Sequence, residues 1–170
     1  MGVEATTPHW RSSKPTRKNS NQLAYLTLDR ERPSGTLSGT TSPRTSHFMA
    51  RILIVEDSPT QLETIKRVVE GMGHLALCAD NGDQAFEMAH ALKPDMILMD
   101  IILPGANGFQ TTRRLSKSPD TAGIPVVILS TKDGESDRSW GLRQGAKAYL
   151  TKPVSDRVLR EAIEQQLGKS

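Results

Sequence analysis

The chain has 170 residues, 24% of them charged, which indicates one globular domain with an extension and an ordinary water-soluble composition. Its single cysteine, Cys78, excludes an internal disulfide and is typical of a reducing compartment, so we expect a cytoplasmic protein. The sequence has no apolar run long enough to span a membrane and no opening secretory signal, so we expect no membrane insertion.

The formal charge of +3 is unevenly distributed along the chain. Residues 1–48 hold seven Lys/Arg against three Asp/Glu, whereas residues 49–170 hold 15 against 16. The basic isoelectric point therefore comes from the first segment and says nothing about the function of the second.

Residues 1–48 form a basic segment that is rich in Ser and Thr and poor in apolar residues. Such a segment cannot bury enough apolar surface to offset its chain entropy, so we predict that it is disordered. Gly2 and Thr6 fit a myristoylation pattern, the arginines suit nucleic acid or acidic lipid, and the composition resembles a transit peptide. We favour a simpler alternative, in which Met49 is the true start, because ordered patterning begins there.

The chain from residue 49 to residue 170 alternates between strand and helix patterns. Short apolar runs predict five strands, at 51–55, 74–79, 96–99, 124–130 and 147–151. Helical spacing of apolar residues predicts five helices, at 58–73, 82–92, 108–116, 136–144 and from Ser155 onward. The first, third and fourth strands are almost entirely apolar, as expected where helices cover both faces of a sheet. We therefore predict an α/β fold, a doubly wound five-stranded parallel sheet flanked by five helices.

The first predicted helix has clear start and stop signals. Ser58 suits the N-cap, Pro59 suits the first helical position, and Gln61 completes a predicted capping box. Gly71 and Gly73 are predicted to end the helix.

Polar and charged residues stand at the carboxyl ends of the predicted strands. Glu56 and Asp57 follow the first strand, and Asp100 follows the third. Ser130 ends the fourth strand, and Lys152 follows the fifth. In a doubly wound sheet ligands bind at this edge. Three neighbouring carboxylates would repel each other unless a cation bound, and their oxygens suit Mg²⁺.

These residue types are the ones that phosphoryl transfer requires. We predict that Asp100 is the nucleophile, while the metal ion and Lys152 neutralise the developing charge. Ser130 is predicted to hold an equatorial phosphoryl oxygen.

Four motifs, IVEDSP, ILMDIILPGANG, VVILST and AYLTKP, carry a resemblance to a known family. Their order and spacing resemble those of the receiver domain of bacterial response regulators, which has the CheY-like, flavodoxin-like fold. The resemblance covers Met49 to about Gly168. The sequences MARILIVEDSPT, TKDGESD and WGLRQGAKAYLTKP further resemble PilH-type regulators of type IV pilus twitching motility.

The resemblance implies a phosphoacceptor and a metal site. Asp100 would accept the phosphoryl group. Asp57, Asp100 and the backbone carbonyl of Ile102 would bind Mg²⁺ directly, and Glu56 would contribute through water. The phosphodonor would be the phosphohistidine of a sensor histidine kinase of the CheA-like kind.

The resemblance also implies a switch. Ser130 would be the switch hydroxyl, and Tyr149 would be the aromatic switch residue. Lys152 would be the invariant-type lysine of the family. Phosphorylation would draw the hydroxyl and the aromatic ring inward. The face formed by the fourth helix, fifth strand and fifth helix would then change its preference for an effector protein.

The sequence departs from the chemotaxis pattern around the acceptor. Glu56 stands where Asp is common, and Thr131 stands where Ala is frequent beside the switch hydroxyl. Ile102 offers no side chain to orient a water molecule, and Lys132 is cationic. We therefore expect slow self-dephosphorylation.

The sequence favours a stand-alone signalling protein over two other classes of protein. A haloacid-dehalogenase-like phosphatase requires a second Asp where this chain has Ile102, so we expect a signalling protein rather than an enzyme. A DNA-binding regulator is not expected, because no helix-turn-helix sequence follows the receiver-like region. Two outputs stay open: binding of an effector, or action as a phosphate sink for another regulator of the pathway.

Overall fold

The computed structural model describes residues 49–105 and 107–168, which form five alternating strands and helices. The strands are β1 (Arg51–Val55), β2 (Leu75–Ala79), β3 (Met96–Asp100), β4 (Val126–Ser130) and β5 (Ala148–Thr151). The helices are α1 (Pro59–Gly71), α2 (Gly82–Leu92), α3 (Gly108–Lys117), α4 (Glu135–Arg143) and α5 (Asp156–Leu167). No helix in this part of the chain is long and apolar enough to cross a membrane. The predictions made for residues 1–48 lie outside the described residues.

The five strands form one parallel sheet in the order β2-β1-β3-β4-β5. The chain runs from β1 to β2 on one side and then crosses to β3 on the other, so the topological switch point lies between β1 and β3. The register pairs Val55 with Met99 and Ser130 with Thr151. The residues that end or follow β1, β3, β4 and β5 therefore emerge at one edge of the sheet. The predicted fold class is confirmed.

The core lies on both faces of the sheet, as the apolar strands predicted. Every residue of β3 and β4 is buried. One apolar cluster joins the sheet to α1 through Ile65 and Val69 and to α5 through Leu159 and Ile163. A second, smaller cluster lies near α3 and α4 and consists of Ile101, Phe109, Ile128, Ala146 and Tyr149.

The start of α1 differs from its prediction. Ser58 is the N-cap residue and Pro59 is the first helical residue, but the Ser58 side chain makes no capping hydrogen bond. The capping box with Gln61 is therefore wrong. The Ser58 backbone N–H instead donates to Glu56 Oε1 at 3.2 Å, because the preceding strand end brings that carboxylate within reach. The cap predicted for α5 is present, since Ser155 Oγ accepts from the Val158 N–H at 3.4 Å.

Most of the other elements differ from their predicted bounds by one or two residues, whereas β1 and α2 match theirs. β4 begins at Val126 rather than at residue 124, because Pro125 has no N–H to donate and contributes only its carbonyl, which accepts from Ile97 N–H at 2.9 Å. β3 extends one residue further than predicted, so Asp100 belongs to the strand itself. The position of Asp100 is thus fixed by the sheet rather than by a loop.

Candidate functional site

Asp100 is the last residue of β3 and is almost fully buried, with 6% of its surface exposed. Its Oδ1 accepts a hydrogen bond from the Ile102 backbone N–H at 3.1 Å. Its Oδ2 accepts from Lys152 Nζ at 2.7 Å. Both carboxylate oxygens therefore have a partner, which offsets the cost of burying the charge.

Lys152 follows β5 and holds two carboxylates with one ammonium group. Its Nζ lies 2.6 Å from Glu56 Oε2 and 2.7 Å from Asp100 Oδ2. Its backbone N–H donates to the Ser130 carbonyl at 2.7 Å, which anchors the residue to the end of β4. The Lys152 side chain is only 10% exposed, so these ion pairs are poorly screened by water.

Glu56 is the most buried member of the cluster, with 1% of its surface exposed. Burial raises the pKa of the Glu56 carboxyl above its usual value, and Asp100 adds to this, whereas Lys152 and the Ser58 N–H oppose it. Repulsion from Asp100 therefore raises the pKa of Glu56 less than the loss of hydration does.

Asp57 lies at the same edge but on the solvent side, since it is exposed. Glu56, Asp57 and Asp100 each present an oxygen, and these atoms lie within 4.8 Å of one another. This is the one group of acidic, His or Cys side chains close enough to share a metal ion in the part of the chain that the structure describes. Three carboxylate oxygens, one side of them open to water, fit a hard divalent cation such as Mg²⁺.

Ser130 belongs to a second set of hydrogen bonds, which leads toward Tyr149 and does not include Asp100. The buried Ser130 Oγ accepts from the Lys132 N–H at 3.1 Å. The Lys132 carbonyl in turn accepts from Tyr149 Oη–H at 2.8 Å. Tyr149 is 3% exposed, so its ring lies inside the fold. Within the described residues no hydrogen bond joins Ser130 to Asp100, and the link from Ser130 to Tyr149 passes through the backbone of Lys132.

Besides Asp57, two further exposed side chains lie close in sequence to Asp100 and Ser130, one apolar and one cationic. Ile102 lies two residues after Asp100, and 56% of its surface is exposed. Lys132 is exposed, and its Nζ lies 3.7 Å from Asp137 Oδ1. The side chains two residues after Asp100 and two after Ser130 are thus an isoleucine and an ion-paired lysine.

Gly108, which the sequence placed at the start of the third predicted helix, has a role that sequence reasoning missed. A Cβ added at this first residue of α3 would lie 2.0 Å from the Asp100 carbonyl oxygen. The Gly108 N–H donates to the Ile101 carbonyl at 2.9 Å. The helix therefore starts directly against the backbone of Asp100, an approach that only glycine permits. The sequence signal was the glycine itself, but its neighbour was not deducible.

The fold and this acidic site define a class, and comparison with known proteins agrees with it. The profile of the response regulator receiver domain matches residues 52–164, so the chain belongs to the response regulator receiver family. The described residues form a receiver-domain signalling protein.

A particular relative and two solved structures sharpen this assignment. The chain is 51% identical over 120 residues to protein PilH of Pseudomonas aeruginosa, a match that covers 71% of this chain and 99% of PilH. A CheY-like receiver domain protein from Methanospirillum hungatei has a TM-score of 0.67 at 26% identity, covering 71% of this chain and 95% of that one. The receiver domain of a sensor histidine kinase from P. aeruginosa, with a magnesium ion coordinated in its active site cleft, has a TM-score of 0.66 at 28% identity. That match covers 71% of this chain and 98% of the other.

Proposed function

We propose that this protein is the response regulator of a phosphorelay and that Asp100 accepts a phosphoryl group from a sensor histidine kinase. The observation that carries the proposal is the Lys152 ammonium group, which lies 2.7 Å from Asp100 and 2.6 Å from Glu56 beside the exposed Asp57. This arrangement combines a nucleophilic carboxylate with a fixed positive charge and an open acidic edge, which is what phosphoryl transfer to a carboxylate requires.

The reaction follows from these groups. A carboxylate oxygen of Asp100 attacks the phosphorus of a phosphohistidine, and a phosphorus–oxygen bond forms as the phosphorus–nitrogen bond breaks. The histidine nitrogen leaves with the bonding electron pair and takes up a proton from solvent. Lys152 stays within reach of the new acyl phosphate and offsets its negative charge. The Ser130 hydroxyl is the group proposed to hold one of the transferred oxygens.

Mg²⁺ is the cofactor that the acidic cluster suits. Asp57, Asp100 and the carbonyl of Ile102 would hold the ion, with Glu56 contributing through water. When bound, Mg²⁺ supplies positive charge to the phosphoryl oxygens and offsets the repulsion among the three carboxylates. The magnesium ion described for the histidine kinase receiver domain supports this assignment by similarity.

The output is proposed to run through protein contacts. The contacts from Ser130 through Lys132 to Tyr149 link the acceptor side of β4 to the face formed by α4, β5 and α5. A change at the Ser130 hydroxyl on phosphorylation would bias the Tyr149 ring and so the affinity of this face for an effector. The similarity to PilH supports a role in twitching motility or a chemotaxis-like pathway, with a CheA-like kinase as donor, in the cytoplasm.

Slow self-dephosphorylation is a further part of this proposal. Hydrolysis of the acyl phosphate needs an attacking water. Two residues after Asp100 and two after Ser130 the chain carries the exposed side chains of Ile102 and Lys132, neither of which accepts a hydrogen bond from water. The exposed carboxylate of the cluster, Asp57, is the one proposed to hold Mg²⁺. We expect the phosphorylated protein to persist for minutes or longer, and Ile102→Asn to shorten this lifetime by restoring a polar group. A wild-type lifetime of seconds would contradict the expectation.

Phosphoryl incorporation from acetyl phosphate tests the central proposal. The protein is incubated with Mg²⁺ and acetyl phosphate, and the added mass is measured for wild type, Asp100→Asn and Asp80→Asn. Asp80 is the matched control, because it is an exposed carboxylate at the end of β2 outside the acidic cluster. We expect incorporation in wild type and Asp80→Asn and none in Asp100→Asn. Equal incorporation in all three proteins would overturn Asp100 as the acceptor.

A further inference from the structure

Helix α4 touches the rest of the domain through very few buried groups. Among its nine residues only Gly141 is buried. The large side chains next to it in sequence, Trp140 and Leu142, are 49% and 45% exposed. The helix therefore packs against the domain without burying any large side chain of its own.

Gly141 lies directly on the Tyr149 ring. A Cβ added at Gly141 would lie 2.9 Å from Ile128 Cδ1, 3.0 Å from Tyr149 Cδ2 and 3.2 Å from Phe109 Cε1. All three distances are shorter than ordinary carbon–carbon contacts, the one to Ile128 Cδ1 most of all. All three neighbours belong to the small apolar cluster beside α4. A methyl group here would displace either the helix or the tyrosine ring.

A second residue of α4 lies over the same ring. The Arg138 guanidinium carbon is 5.9 Å from the centre of the Tyr149 ring, within reach of a cation–π contact. Arg138 and Gly141 are three positions apart and so share one face of the helix. Two groups of α4 thus contact the Tyr149 ring: the Arg138 guanidinium group and the backbone of Gly141.

Glycine is a poor residue for the middle of a helix, because it has the largest conformational entropy to lose. Local preference alone would place alanine at position 141, and the close contacts explain why the chain carries glycine instead. A position where local preference conflicts with the fold is expected where function or tight packing requires it.

We propose that Gly141 is the positioning residue that couples α4 to Tyr149. The Tyr149 hydroxyl is tied to the Lys132 carbonyl, and the Lys132 N–H to Ser130 Oγ, so two hydrogen bonds and one glycine contact connect the site to the helix. Because the glycine leaves no gap, movement of the ring is transmitted to α4. This inference rests on the proposed phosphorylation of Asp100.

The test compares Gly141→Ala with Gly123→Ala in the full chain. Gly123 is the matched control, because a Cβ there would meet nothing within 4 Å. Incorporation from acetyl phosphate is measured by mass, and the amide and Trp140 indole resonances of α4 are followed by NMR before and after phosphorylation. Trp10→Phe is included to assign the Trp140 signal.

We expect all proteins to incorporate phosphate at rates within about twofold, because Gly141 does not touch Asp100, while the α4 shift changes in Gly141→Ala fall to about a third or less. A full α4 response in Gly141→Ala at normal incorporation overturns this inference alone. Absence of incorporation in wild type overturns the proposed function and this inference with it.

A second variant keeps the test decisive if Gly141→Ala does not fold. Gly141→Ala combined with Ile128→Val removes the nearest clashing atom, Ile128 Cδ1, and leaves the contact with Tyr149 Cδ2 at 3.0 Å. Ile128→Val alone is its control. We expect the double variant to incorporate phosphate normally and to show the reduced α4 response, and a full response in it overturns the coupling.

Discussion

The helices α5 and α4 lie beside the same strand, β5, and are held to the domain in opposite ways. α5 buries Leu159, Ala162, Ile163 and Gln166. α4 buries Gly141 alone. Since each fully buried aliphatic side chain contributes about 1.5–3 kcal/mol, α5 is fixed by packing and α4 is not. A helix with little packing to lose is one whose position a small change at the site can alter.

The largest loss of stability is expected from truncating a buried leucine of α5, and it is compared with truncation of an exposed leucine of α4. Leu159→Ala, on α5, should lower the free energy of unfolding by about 2–5 kcal/mol, because it leaves a cavity in the core. Leu142→Ala, on α4, should change it by about 0.5 kcal/mol or less, because the side chain is exposed. Urea unfolding of both variants measures the difference, and equal losses would remove the contrast between the helices.

Gly108→Ala tests whether the start of α3 tolerates a change in packing less well than the exposed surface does. The added methyl group would collide with the Asp100 carbonyl. We therefore expect the free energy of unfolding to fall by about 1–3 kcal/mol or more and Asp100 to be displaced. Gly123→Ala, where a Cβ meets no atom, should leave the unfolding free energy nearly unchanged. Urea unfolding and phosphoryl incorporation are measured on both. Wild-type stability and incorporation in Gly108→Ala would contradict this expectation and would show that the backbone at the end of β3 can shift to accommodate the methyl group.

Tyr149→Phe removes the hydrogen bond that ties the loop before α4. Loss of the bond to the Lys132 carbonyl should lower the free energy of unfolding by about 0.5–1.5 kcal/mol, because the bond is partly buried and the Tyr149 side chain lies inside the fold. Lys132→Ala is the control, since it keeps the accepting carbonyl and should retain the bond. Hydrogen exchange in residues 131–135 checks the result: faster exchange is expected in Tyr149→Phe, and equal exchange in both variants would contradict it.

The smallest effect is expected at the exposed ion pairs between α2 and the loop before β4. Lys93, and secondarily His90, lower the pKa of the Asp120 carboxyl, so Asp120 adds stability above its ordinary pKa of 3.8 and loses it as pH falls through the lowered value. Asp120→Asn should therefore be slightly less stable than wild type at neutral pH and equal to it in acid. Thermal unfolding at both pH values measures this, and a difference that grows in acid would reverse the assigned sign.

The sequence predicted the site's members because parallel strands end at one edge. Asp100, Glu56 and Lys152 are far apart in the chain, yet each follows or ends an apolar run, and the topology alone brings them together. Asp57 was placed in the same cluster for the same reason.

What the sequence did not predict depends on distances between particular atoms. The failed capping box at Ser58 reflects competition from the Glu56 carboxylate, which approaches only after folding. The closeness of Gly108 to Asp100 and of Gly141 to Tyr149 depends on how deeply two helices sit. Residue patterns report which face of an element is buried, but not how near its backbone comes to a neighbour.

The unequal exposure of the acidic cluster fixes a direction of approach. Glu56 and Lys152 close the inner side of Asp100, whereas Asp57 and Ile102 line the side that faces solvent. A phosphodonor of the proposed kind would therefore arrive past the apolar Ile102 side chain and the Asp57 carboxylate, with the Lys152 ammonium group on the far side of Asp100. Donors that carry an apolar surface next to the histidine would be favoured on this path, and bulky anionic donors would meet repulsion first.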